Sequence, residues 1–163
     1  MKTKDQTRLI VAASENDADM LYATRFFAPD PFIFLEQNGK RTLVLSDLEI
    51  DRGRKQAEAD EFVPYSAFEK EVQGKSSKAP AYEKVLAHFL AKRKVRSAVV
   101  PATFPLGYAR ERESRHIRLQ PTNVRFWPAR EATREPDLRL MPKALYITAA
   151  ALARVRHVHQ RTW

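Results

Sequence analysis

Cysteine is absent from this 163-residue chain, which excludes disulfide bridges, a thiol nucleophile, zinc knuckles and iron–sulfur ligation together. Stability must come from packing. Glycine is scarce, with four residues against ten prolines. Gly39, Gly53, Gly74 and Gly107 stand singly, so there is neither a glycine-rich phosphate loop nor a flexible low-complexity segment. No apolar run approaches the roughly 18 to 20 residues that a membrane span requires, and Met1-Lys2-Thr3-Lys4-Asp5 leads into only a short apolar patch. A cytoplasmic protein with no membrane partner is expected. No serine sits in a nucleophile elbow, and no segment repeats at a fixed period.

Acidic residues are rare in one half only. Up to residue 90 there are 13 basic and 15 acidic side chains; from residue 91 onward there are 16 basic and 5 acidic. The formal charge of +9 therefore belongs to the second half, and a nucleic-acid reading must be tested there. With 44% hydrophobic residues, the chain is long enough to bury one real core.

Leu9 to Ala13 reads as a buried strand, ended by Ser14-Glu15-Asn16-Asp17. Asp17 or Asp19 can cap a helix carrying Met20, Leu21, Tyr22 and Phe26, which Pro29-Asp30-Pro31 is expected to terminate. Pro31 to Glu36 and Arg41 to Ser46 are β-rich runs joined by Gln37-Asn38-Gly39-Lys40, whose Asn-Gly pair suits the positive φ of a tight hairpin turn. The charged stretch Asp47 to Ala59 permits helix, Glu61 to Tyr65 predicts a strand, and Gln73 to Pro80 predicts a surface loop.

Tyr82, Val85, Leu86, Phe89 and Leu90 recur at helical spacing before Lys92-Arg93-Lys94, so an amphipathic helix with cations at its C-terminal end is expected. Strand Ser97 to Val100, helix Leu106 to Arg115, strand Ile117 to Leu119 and an extended exit Val124 to Pro128 follow. A last helical rhythm runs from Asp137 to His159, interrupted by Pro142, which either starts that helix or kinks it. Strands alternating with helices predict an α/β fold, three-layered, with a mixed β-sheet flanked by helices and a further C-terminal helix.

The chemistry-bearing candidates are few. His157 and His159 stand at i and i+2, on different faces of a helix, with no acidic residue after Asp137 to complete a metal shell. His88 lies within a helix and His116 in a basic loop, and neither has an evident nucleophile beside it. Asp47, Glu49 and Asp51 could provide an acid–base pair, but Arg52, Arg54 and Lys55 follow closely and suggest a solvated, salt-bridged helix start. The nucleic-acid alternative rests on Lys92, Arg93, Lys94 and Arg96, on Arg110, Arg112, Arg115 and Arg118, and on Phe126 and Trp127 as stacking groups. Glu111 and Glu113 interrupt that basic stripe.

Three local features in order resemble a family. They are the helix end Leu21-Tyr22-Ala23-Thr24-Arg25-Phe26, the Gly39-Lys40 hairpin running into Leu43-Val44-Leu45-Ser46-Asp47-Leu48-Glu49, and Thr103-Phe104-Pro105-Leu106-Gly107 after a strand. Together they resemble the N-terminal domain of the pita-bread metallopeptidases, which comprise Xaa-Pro aminopeptidases, prolidases and creatinase. The resemblance covers residues 9 to about 153. In that family the first domain ends in an Arg-Glu-x-Lys-Thr-x-x-Glu-Ile signature. Here Arg130-Glu131 is followed by Thr133 in place of Lys, Arg134 for Thr, Asp137 for Glu and Leu138 for Ile.

The resemblance implies a creatinase-type N-terminal domain at 1–128, a linker at 129–137, and at 138–163 the first helix of a catalytic domain followed by an unrelated basic tail. It implies two divalent metal ions held by two Asp, one His and two Glu of a catalytic domain, none of which has a counterpart here. No catalytic, cofactor-binding or metal-binding residue is therefore assigned, and the isolated chain is not expected to be an enzyme. The implied role is noncatalytic: packing against its own or a separately encoded catalytic domain, supporting homo-oligomer contacts, and shaping the substrate entrance. The expectation is of a truncated remnant or of a segment cut from a longer protein.

Overall fold

The computed structural model describes residues 6–110, 117–122 and 126–127. By its contacts the chain divides into one unit from Met1 to Trp127 and another from Pro128 to Trp163. The expected linker at 129–137 and everything at 138–163, Pro142, His157 and His159 included, lie outside the described residues.

The elements run β1 (Arg8–Ala12), α1 (Ala18–Thr24), β2 (Phe32–Gln37), β3 (Lys40–Leu45), α2 (Ile50–Gln56), β4 (Glu61–Pro64), α3 (Tyr65–Gln73), α4 (Tyr82–Lys92), β5 (Ser97–Val100), α5 (Leu106–Arg110) and β6 (Arg118–Pro121). The strands form one mixed sheet in the order β4-β3-β2-β1-β5-β6. β1, β2 and β3 are antiparallel neighbours, whereas β4 joins β3, β5 joins β1 and β6 joins β5, each in parallel. The α/β class expected from the alternation of elements is the one observed.

Alternation within the central strands explains the layers. Leu9, Val11, Ile33, Leu35 and Val44 point to one face, where Phe68 of α3 and Val85, Leu86, Phe89 and Leu90 of α4 cover them. Ile10, Phe32, Phe34, Leu43 and Leu45 point to the other, under Met20 and Ala23 of α1 and the loop residue Phe26. Strands apolar on both faces must be covered on both, and this gives three layers. Full burial contributes about 1.5–3 kcal/mol for each such side chain, and Phe26, Phe34 and Phe89 are all completely enclosed.

Turn chemistry sets the register. Asn38 and Gly39 both take positive φ, 54° and 77°, as a two-residue hairpin turn requires, and Gln37 faces Lys40 across it. The registered pairs Leu35 with Thr42 and Ile33 with Val44 then fall on the α3–α4 face.

Two local expectations are corrected. The first helix stops at Thr24, ahead of the Pro29-Asp30-Pro31 segment expected to end it. Arg25 adopts a left-handed φ of 53° and its N–H returns to the Leu21 carbonyl. The Thr24 hydroxyl donates to the Met20 carbonyl at 2.8 Å and accepts from Phe26 N at 3.3 Å. Phe26 is therefore buried from a loop. Tyr65 begins a helix where a strand end was expected, and α3 as a whole was not foreseen. Its signal was present in Tyr65, Phe68 and Val72, spaced three and four apart, all of which pack on the core. Of the helix expected to reach Arg115, α5 is described to Arg110, and 111–116 lie outside the described residues.

Candidate functional site

The acidic trio after the hairpin is a helix start held by its own cations. Arg52 pairs with Glu49, Nε at 2.7 Å from Oε2, and its Nη1 also donates to the Phe27 carbonyl at 2.8 Å. The same guanidinium lies 4.4 Å above the Phe26 ring. Arg54 stands 3.4 Å from Asp51, and Asp47 accepts from the Ser66 hydroxyl at 2.9 Å. These carboxylates are dispersed along one helix entry and do not converge as an acid and a base.

His88 is likewise occupied. Its Nε2 lies 2.8 Å from Glu71 Oε2, while Lys92 Nζ donates to Glu71 Oε1 at 2.5 Å. The hydrogen bond from Lys92, followed by that of His88, holds the Glu71 carboxyl below its ordinary range. The cluster ties α3 to α4. His116 lies outside the described residues. Among the described residues, no three His, Asp or Glu side chains gather as a metal shell, so the donor set that the family resemblance implies is not met by them.

Two residues of the basic cluster are engaged by carboxylates. Lys92 is bound to Glu71 and lies 5.6 Å from the Phe68 ring. Arg93 donates to Glu61 Oε1 at 2.5 Å and partly covers Phe89. That hydrogen bond is the main reason the Glu61 carboxyl is held down at about 2; Lys40 assists from the other oxygen. Lys94 supplies the left-handed residue that ends α4, with φ 56°, and Val95 N returns to the Leu90 carbonyl at 2.9 Å. Lys94, Arg96 and Arg118 are exposed. The side chains of Arg110, Arg112 and Arg115 lie outside the described residues.

Of the two expected stacking groups, Phe126 is corrected. Phe126 is buried on the α1 face of the sheet. Trp127 packs beside it among Tyr22, Phe34 and Phe126, with centroids 5.5–6.3 Å away. Arg8, paired with Glu36 at 2.9 Å, covers Trp127 from 4.6 Å. Phe126 is thus unavailable to stack on bases, whereas the half-buried Trp127 ring packs on the core and carries Arg8 over it.

Two surface features remain. Leu21, Phe27 and Leu48 are large apolar side chains left exposed on α1 and on the segments leading from it and into α2; Leu48 is 93% exposed. Leu106, at the start of α5, is a fourth. In addition, a cleft of about 260 Å³ opens beyond the carboxyl ends of β1 and β5. Sequence reasoning did not foresee the cleft, because its two walls come from segments some ninety residues apart.

A six-stranded mixed sheet with α1 and α2 on one face and α3 and α4 on the other defines a three-layer α/β domain. The solved structures that it resembles include the Xaa-Pro dipeptidase from Bacillus anthracis, with a TM-score of 0.69, 14% identity, and coverage of 94% of this chain and 39% of that one. The X-Pro aminopeptidase from Thermotoga maritima matches with a TM-score of 0.66 and 14% identity, over 90% of this chain and 40% of that one. The prolidase from Pyrococcus horikoshii OT3 matches with a TM-score of 0.59 and 14% identity, over 91% and 37%. The chain thus spans about two fifths of the length of these three proteins. No family model matches the sequence, and no curated protein sequence does. No helix among the described residues is long and apolar enough to cross a membrane.

Proposed function

We propose that this chain serves as the noncatalytic N-terminal-type domain of a Xaa-Pro-peptidase-like protein. In this reading it packs against a metallopeptidase domain, linked to it or separately encoded, and supports oligomer contacts beside the substrate entrance. The single observation that carries the reading is the fold match to the Bacillus anthracis Xaa-Pro dipeptidase, which takes in 94% of this chain but 39% of that protein. The exposure of Leu21, Phe27 and Leu48 supports it as well, because exposed large apolar side chains favour a protein partner.

The two metal ions expected in such a protein belong, in this proposal, to the partner domain. This chain contributes surface and shape. The test is hydrolysis of an Xaa-Pro dipeptide in manganese or cobalt, by the purified chain alone and with a Xaa-Pro peptidase catalytic domain added, alongside sedimentation of the mixture. The expected result is no turnover by the chain alone and co-sedimentation with the catalytic domain. Robust turnover by the chain alone, or no association at any concentration tested, overturns the proposal.

A further inference from the structure

Two adjacent parallel strands send the chain to opposite faces of the sheet. After β1 it passes to α1, whose Met20 and Ala23 pack with Ile10 and Phe34. After β5 it passes to Phe104 and Tyr108, which pack on the other face with Leu9 and Val100. Because β1 and β5 are neighbours and parallel, the diverging segments leave a crevice beyond their carboxyl ends. Open α/β sheets take ligands at such a switch point. The cleft of about 260 Å³ lies there, walled by Val11, Ala13 and Asp17 from one side and by Thr103, Phe104 and Tyr108 from the other.

Its lining is mainly aliphatic, prolyl and aromatic, and among the described residues Asp17 is the one charged side chain in it. Asp17 is fixed in place, since its Oδ1 accepts from Met20 N at 2.7 Å. No cation among the described residues pairs with it. An oriented carboxylate in an apolar cleft complements a positive charge, and the faces of Phe104 and Tyr108 attract cations as well. We propose that this cleft binds a small organic monocation: a primary ammonium group carried on an apolar body about the size of one aromatic ring. The carboxylate of Asp17 accepts from the ammonium while the body displaces water from the apolar wall.

The test is a heteronuclear NMR titration of the full chain with benzylammonium, benzyl alcohol and benzoate. Benzylammonium is expected to give saturable one-site shifts centred on Val11, Asp17, Thr103 and Tyr108. Benzyl alcohol should bind about tenfold more weakly, because the charge-assisted hydrogen bond is lost, and benzoate should not bind. Asp17→Asn retains a good helix cap and hence the fold. It should lower the benzylammonium affinity about tenfold while leaving benzyl alcohol unchanged. Thr103→Trp, at an exposed position of the wall, should block both ligands. Absence of saturable shifts with benzylammonium, equal binding of all three probes, or undiminished benzylammonium affinity in Asp17→Asn overturns the proposal.

Discussion

Glu61 on the edge strand β4 and Arg93 at the end of α4 are joined by a hydrogen-bonded ion pair of 2.5 Å, across thirty-two residues of sequence. The contact fastens the last strand on one side of the sheet to the helix layer above it. Its carboxyl, held at about 2 against an ordinary 4.5, has a folded-state pKa below the unfolded one. The stabilisation is therefore fully present above about pH 4.5 and is lost as pH falls toward 2. Solvent screening at this partly exposed pair limits the contribution to about 1 kcal/mol. Chemical denaturation at pH 7 and at pH 3 should show Glu61→Gln costing about 1 kcal/mol at the higher pH and clearly less at the lower. An equal cost at both values would refute the electrostatic origin.

Gly53 in α2 stands where a side chain has no room, since a Cβ there would lie 2.3 Å from Cδ1 of the fully buried Leu45. Alanine is intrinsically better in a helix by about 1 kcal/mol, yet Gly53→Ala should destabilise by about 1–2 kcal/mol because a well-packed core resists insertion. Leu45→Val removes the clashing atom, so the double variant should be less destabilised than the two single effects predict. Urea midpoints of the four proteins measure this, and simple additivity would show that the close approach is not what keeps glycine there.

Ser14, buried at 1% exposure, closes the loop around α1. Its hydroxyl accepts from Ala28 N at 2.7 Å and donates to the Ala28 carbonyl at 3.4 Å. Ser14→Ala leaves the Ala28 N–H buried without that acceptor and should cost about 1–3 kcal/mol in thermal unfolding. Amide exchange at Ala28 should accelerate in parallel, and unchanged protection there would contradict the assignment.

Tyr82 stacks on Tyr65 and packs tilted against Tyr108, with ring centroids 5.2 and 5.1 Å away, but among the described residues its buried hydroxyl has no hydrogen-bond partner. Burial raises its pKa, and that of Tyr65 to about 12. In an alkaline spectrophotometric titration of the folded chain, fewer than its five tyrosines should ionise below pH 11. Tyr82→Phe keeps the stack and removes the desolvated hydroxyl, so it should be neutral or stabilising by up to about 1 kcal/mol. A loss above 1 kcal/mol would reveal a partner for the hydroxyl.

Local chemistry made much of the domain legible. Asn38-Gly39 announced a hairpin because few other pairs accept two consecutive positive φ angles, and the apolar spacing from Tyr82 to Leu90 announced α4 because one helical face had to be buried. α3 escaped notice because its apolar triplet sits among Ser66, Glu69, Lys70 and Glu71, so the pattern is sparse over nine residues. The end of α1 was misplaced because Arg25 takes a left-handed conformation that its residue type does not advertise.

By itself the sequence determined the α/β class, the hairpin and its register, and the absence of any thiol-based chemistry, since each depends on residue type or on short-range spacing. Only the tertiary structure decided that β1 lies between β2 and β5, that Trp127 roofs the core under Arg8, and that Glu71 and Glu61 occupy Lys92 and Arg93. It also decided that Asp17 and Tyr108 share one cleft. Such pairings join residues far apart in the chain, and their energy arises only when packing brings them together.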